Sequence, residues 1–257
     1  MAFKESWIDY ENREGKVNGS YTNMLHLNVK SIISTNFSED LDSVCTIGHE
    51  LVHAFHGYLL KDIPYANIDY PIPIAETFSL FCENIIYMYL INSECDKKRK
   101  YEMLELFLNN IMYTLLDYTV WYLFEKAIFE NNGELAFEKG GYSKALINIK
   151  EKIYGAALKK ESINEAQWML RTQNYFVDYY YYNFPYVLGM LVSLSMIDKL
   201  KKGSLTFVEI KMFRKNSGIG TVEEIVANFG IDLSADKFWN EIEVYIEALL
   251  DSYCCDL

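Results

Sequence analysis

Apolar positions fill long stretches of this chain without interruption by proline, and that pattern predicts helices. Only four prolines occur (Pro64, Pro71, Pro73 and Pro185), three of them within one short segment. The first expected helix lies between Ser38 and Tyr58. Ser38 would cap it, the acids Glu39, Asp40 and Asp42 suit the positive end of the helix dipole, and Gly57 would stop it. "KDIPYANIDYPIP" (61–73) reads as a loop leading into a second helix from about Ile74 to Asn92. A long helix is expected from Asp96 to Glu130, ended by "NNG" at 131–133. Further helices are expected at roughly 142–159, 184–201, 205–215, 221–228 and 236–253, separated by "GG" (140–141), "KKGS" (201–204) and "KNSGIG" (215–220). Only the stretch before Ser38 differs. "SYTNMLHLNVKSIISTNF" (20–37) is rich in β-branched and aromatic residues and partly alternates, which predicts one or two strands. The expected class is mainly α, with a small β element preceding the histidine-bearing helix.

Composition narrows the function classes. With 51% hydrophobic and 23% charged residues over 257 positions, the chain is globular in character and long enough for a sizeable core. Its net charge of −12 comes without a clustered basic footprint, which argues against a nucleic-acid partner; "DKKRK" (96–100) reads as a solvated helix start. The opening "MAFKESWIDYENREGK" has no apolar core of a signal peptide, and the longest apolar stretch, Tyr186 to Ile197, is too short to span a bilayer. The five cysteines (Cys45, Cys82, Cys95, Cys254, Cys255) form an odd set without regular spacing, as reduced thiols do. The expectation is an acidic cytoplasmic protein with no membrane partner.

The candidate chemistry sits in "GHELVHAFHG" (48–57), which carries three of the chain's four histidines. On a helix, positions i and i+4 share a face, so His49 and His53 can aim two imidazoles at one point. Glu50, on the adjoining side of that turn, can act as general base toward a water there. This is the HExxH pattern of zinc-dependent hydrolases. A catalytic zinc usually takes three protein ligands. Glu76, in "PIPIAETFSLFCENI", could supply the third if the two helices pack side by side, whereas His56 lies too far along the axis to join comfortably. Cys82 is a rival, although free cysteine in apolar helical surroundings commonly packs as a small hydrophobe. Glu83, two turns beyond Glu76, could accept a hydrogen bond from a ligand histidine, and His56 is a further candidate for such an outer position. Two imidazoles and a carboxylate would also accept cobalt or manganese.

Several stretches together resemble the oligoendopeptidase F branch of the thimet-oligopeptidase-like zinc metallopeptidases. They are "WIDYENREGKVNGSYT" (7–22), "NFSEDLDSVCTIGHELVHAFHG" (36–57), "DYPIPIAETFSLFCENI" (69–85), "YYNFPYVLG" (181–189) and "TVEEIVANFGIDLSADKFW" (221–239), in matching order and spacing. The resemblance implies a zincin-like helical catalytic domain over 1–257, binding one zinc per chain. It implies that His49, His53 and Glu76 hold the metal, that Glu50 is the general base, and that Glu83 is the acid beside the site. It further implies that Tyr182 and Tyr186 donate to the oxyanion, and that Gly19, Ser20 and Tyr21 lie along the peptide. The implied activity is endopeptidase cleavage of short oligopeptides.

Two departures qualify that expectation. Where many members carry a histidine before the tyrosine block, this chain has Gln173 and then Asn174. A typical member also has a large helical portion ahead of the block that opens here at Trp7. The chain then reads as roughly the catalytic half, whether a trimmed piece, a natural short form or one part of a split enzyme; in a natural short form a groove would be exposed, which argues for a second copy or a partner chain over it. The competing readings are a weak or inactive peptide-binding pseudo-peptidase, one half of a split peptidase, and a purely structural zinc protein.

Overall fold

The computed structural model describes the chain except residues 26–29, 66–67, 132, 176–179, 216 and 256–257, and the side chains of 175, 213, 215 and 255. Parts of the expected strand region (20–37), of the 61–73 loop, and of the "NNG" (131–133), "YYYY" (179–182) and "KNSGIG" (215–220) segments, with the Cys255 thiol, therefore lie outside the described residues. The chain divides into two compact units, Met1–Leu108 with Gly189–Leu257, and Asn109–Leu188.

The larger unit opens with three strands, β1 (Ile8–Asp9), β2 (Tyr21–Leu25) and β3 (Lys30–Ser34). Their order is β1-β3-β2, with β1 parallel and β2 antiparallel to β3. Alternation along β2 turns Thr22 and Met24 away from solvent while Tyr21, Asn23 and Leu25 are exposed. Helix α1 (Leu41–Leu59) follows. Its cap is Asp40 rather than the expected Ser38: the Asp40 carboxylate accepts from the Ser43 amide and the Ser43 hydroxyl meets the Asp40 amide, a reciprocal capping box. Gly57 does not stop α1, which runs on to Leu59. It is instead a point of close approach, because a Cβ there would collide with Met24 Sδ from β2.

Helix α2 (Ile72–Ser93) starts two residues earlier than expected, with Pro71 in extended backbone at its cap. Apolar on nearly every face, it has the length and composition to cross a membrane, yet two thirds of its apolar window is buried within the fold (67%), as expected of a core helix. It lies close against α1, where a Cβ on Gly48 would collide with Ile86 Cδ1. The expected long helix is present with an interruption: α3 (Lys97–Met112) passes through one π-helical turn at Tyr113–Asp117 into α4 (Tyr118–Glu130).

In the smaller unit, after the short α5 (Glu134–Phe137), α6 (Gly141–Tyr154) packs on α4 around Val120, Trp121, Phe124 and Leu146. Helix α6 ends before the expected residue 159 because Gly155 adopts a left-handed φ of 53°. Short 3-10 turns then lead to α7 (Phe184–Lys201), within which the division between units falls. The larger unit is completed by α8 (Phe207–Lys215), α9 (Val222–Ala227), capped reciprocally by Thr221 and Glu224, and α10 (Asp236–Cys255). The mainly helical class with a small sheet before the histidine helix is what the chain adopts. Four cysteines are described as free: Cys45, Cys82, Cys95 and Cys254.

Candidate active site

Helices α1 and α2 bring the predicted ligands to one place. His49 and His53 stand one turn apart on α1 with ring centroids 5.0 Å apart, edge to face. Glu76, from the second turn of α2, points one carboxylate oxygen at both: Oε2 is 3.3 Å from His49 Nε2 and 3.7 Å from His53 Nε2. One donor atom from each of the three lies within 4.8 Å of the others. Glu83, two turns further along α2, accepts from His49 Nδ1 at 2.9 Å. That bond fixes which ring nitrogen of His49 carries the proton and leaves Nε2 turned to the point of convergence.

The turn that carries Glu76 is itself braced. Ser79 Oγ donates to Glu76 Oε2 at 3.0 Å, and Gly189 packs its Cα against the same turn, where a Cβ would sit 3.1 Å from Glu76 C and Thr77 N. Asn84 donates to Ser193 Oγ at 3.0 Å and ties α2 to α7 one step further on.

The electrostatics match a cation site. Burial alone would raise the Glu76 pKa, but hydrogen bonds from His49 and His53 outweigh it and hold the carboxyl well below the usual range. Burial likewise opposes the His49 imidazolium, and the Glu76 and Glu83 carboxylates overcome it, so the ring's pKa rises above its ordinary value.

Glu50 is buried (5% exposed), and its Oε2 accepts from Thr22 Oγ1 at 2.6 Å. Gly19, with a left-handed φ of 92°, forms the turn before β2. Ser20 Oγ donates to Thr35 Oγ1 at 2.7 Å, and Tyr21 starts β2 opposite Ser34 with its ring exposed. In the smaller unit, the Tyr182 and Tyr186 hydroxyls are 3.1 Å apart. Gln173 and Asn174 lie there in a 3-10 turn, and Asn174 Nδ2 donates to Trp168 O at 3.4 Å.

His56 is not an outer partner of the ligands, and that expectation is corrected. Its ring is buried (1% exposed) and stacks on Tyr70 at 4.1 Å. Its Nε2 lies 2.7 Å from Ser217 Oγ and 3.0 Å from Arg214 O. Ser217 Oγ donates onward to Arg214 O, so His56 meets this pair through Nε2–H. Burial, helped by the Arg214 charge, pushes its pKa down to about 3.

Four contributors escaped sequence reasoning: Thr22, Ser79, Arg214 and Ser217. Ser79 had a signal, being three residues after Glu76 on one helix face. The others meet α1 from 28 to 162 residues away, where no local spacing rule applies.

Residues 1–240 match the sequence profile of peptidase family M3. Among curated relatives, the chromosomal oligoendopeptidase F of Lactococcus lactis subsp. cremoris is 26% identical over 260 residues, covering 96% of this chain and 42% of the relative. The group B oligopeptidase PepB of Streptococcus agalactiae is 26% identical over 254 residues, with 97% and 42% covered. The chain thus spans about two fifths of the length of these relatives. Among solved structures, PZ peptidase A with inhibitor 2 superposes with a TM-score of 0.82 at 16% identity, over 98% of this chain and 44% of that one. Oligoendopeptidase-F from Enterococcus faecium superposes with a TM-score of 0.65 at 21% identity, over 84% and 39%. These structures share the fold. Taken with the profile match across nearly the whole sequence, they lead to one assignment: the chain belongs to peptidase family M3.

Proposed function

We propose that this chain is a zinc metalloendopeptidase of oligoendopeptidase type that hydrolyses peptide bonds in short oligopeptides. One observation carries the reading: His49, His53 and Glu76 place donor atoms within 4.8 Å of one another, with Glu83 behind His49. Two imidazoles and one carboxylate fit a divalent first-row metal, and zinc takes this donor set in catalytic sites that keep a position open. Bound by these three residues, zinc would supply a Lewis acid that polarises the scissile carbonyl and makes water acidic enough to attack.

The remaining work belongs to the chain's own groups. Glu50, one residue from His49, takes the proton of the attacking water and passes it to the leaving amine. Glu83 holds the His49 proton at Nδ1 and so keeps Nε2 free to bind metal. The assignment of Tyr182 and Tyr186 to the oxyanion, and of Gly19, Ser20 and Tyr21 to the peptide, rests on the sequence resemblance, as does the treatment of 1–257 as one catalytic domain. A second reading is favoured by the 42% coverage of the relatives: the chain binds metal and peptide but needs a further polypeptide portion, or a second copy, for turnover.

The test is hydrolysis of a quenched fluorescent peptide library by purified protein, with metal content measured on the same sample. Turnover that is lost on chelation and in Glu50→Gln, at about one metal per chain, supports the peptidase. Full metal occupancy without turnover supports the second reading, and absence of metal refutes both.

A further inference from the structure

We propose that Thr22 is the positioning residue of Glu50, holding one oxygen of its carboxylate so that the other is presented to the reacting water. The inference deepens the peptidase reading and rests on it. Each carboxylate around the trio has its own tether: Glu76 accepts from Ser79, and Glu83 accepts from His49. For Glu50, the described tether comes from outside the two helices. Thr22 Oγ1 donates to Glu50 Oε2 at 2.6 Å and lies 3.0 Å from the Glu50 backbone carbonyl. One hydroxyl proton serves one strong bond, and the shorter contact, to the carboxylate, is the better acceptor.

The donor is well fixed. Thr22 sits in β2 opposite Ile33 of β3, so its backbone is held by the ladder, and its β-branched side chain has little freedom at χ1. The pleat turns it toward α1, together with Met24, which packs at Gly57. Glu50 has three rotatable side-chain bonds and would otherwise sample several rotamers. A general base must stand within hydrogen-bond reach of the proton it takes, so a tether on Oε2, with no hydrogen bond to Oε1 among the described residues, sets the geometry the reaction needs. The contact joins residues 28 positions apart and links the strand to the helix at the residue where placement matters most.

The test compares Thr22→Val, which keeps the shape without the donor, with Thr22→Ser, which keeps the donor, in the zinc-loaded chain. Turnover is read as kcat and KM separately. Affinity for a short peptide hydroxamate, read by titration calorimetry, is measured in the Glu50 parent and in Glu50→Ala. Thr22→Val is expected to lower kcat about tenfold with KM within about twofold, and Thr22→Ser to restore it. Hydroxamate affinity is expected to fall about tenfold with Thr22→Val in the parent and to be unaffected by it in Glu50→Ala. Unchanged kcat and affinity in Thr22→Val, failure of serine to restore them, or equal losses in both backgrounds would overturn the proposal, leaving Thr22 as strand packing. Should Glu50→Gln turn over peptide as the parent does, the general-base role of Glu50 falls and the proposal for Thr22 falls with it. In a parent without turnover, the cycle decides alone. A parent that binds no hydroxamate overturns the proposal together with the reading beneath it.

Discussion

Two histidines on one face of α1, seven residues and about 10 Å apart, have opposite electrostatic surroundings. His49 meets two carboxylates, Glu76 and Glu83, and its pKa is pulled up. His56 meets a backbone carbonyl, a serine hydroxyl and a neighbouring guanidinium, and its pKa is pushed down to about 3. The ring type and the helix are the same, so the difference lies in what each opposing element brings. Helix α2 brings acids to His49, midway along α1. The segment at Arg214 and Ser217 brings a cation to His56 in the last turn of α1, where the Arg214 guanidinium lies over Phe55 and Phe78 at 5.1 and 5.0 Å and donates to Val52 O. A cluster of acids around imidazoles attracts a metal cation, whereas a neutral imidazole beside a buried guanidinium is a joint in the core.

The largest expected effect separates chemistry from binding. Glu50→Gln should reduce kcat by roughly 10³-fold while leaving metal content unchanged, as read by elemental analysis and peptide turnover together. The next sharpens the contrast between the two histidines. His49→Ala should abolish stable metal binding, whereas His56→Gln should keep it at about one ion per chain. Between these extremes, Glu83→Gln should weaken metal affinity by roughly 10–100-fold, because His49 loses the acceptor that sets its tautomer. Competition with a fluorescent chelator measures this series.

A pH series tests the His56 end. Its folded pKa lies below the unfolded value, so between about 3 and 6.5 the unfolded chain binds the extra proton. Its contribution to stability is therefore complete above about 6.5 and is lost as pH falls toward 3. The unfolding free energy of the metal-free parent, minus that of His56→Gln, should rise with pH across that window and then level off. A flat difference would contradict a buried neutral imidazole. The smallest effect concerns the turn behind Glu76. Gly189→Ala adds a Cβ 3.1 Å from Glu76 and Thr77 backbone atoms. Overpacking of about 1–3 kcal/mol is partly offset by about 1 kcal/mol of helix propensity, for a net loss of roughly 1 kcal/mol in chemical denaturation.

What the sequence disclosed follows the range of the forces involved. His49, Glu50 and His53 were legible because one helical turn fixes their relation. The HExxH pattern alone left Glu76 and Cys82 as rivals, since the choice depends on how α2 packs; glycine at 48 and at 189 lets neighbouring elements approach at that level. The main helices were legible from breaker-free stretches. Their ends were less so: Asp40 displaced Ser38 at the cap because its partner Ser43 lies three residues on, and Gly57 serves a close approach to Met24 rather than a stop. The π-helical turn at Tyr113–Asp117 had no signal in the breaker pattern; there the buried Asp117 accepts from Trp121 Nε1 at 2.9 Å. Thr22, Arg214 and Ser217 act across the fold, and their roles exist only once the chain has closed.

The most direct test of the central claim, that two histidines on one face of α1 do different jobs, is zinc titration calorimetry on the parent, His49→Ala and His56→Gln. One ion per chain is expected in the parent and in His56→Gln, with no stoichiometric binding in His49→Ala. Equal isotherms for the parent and His49→Ala, or loss of binding in His56→Gln with its fold intact, would contradict it.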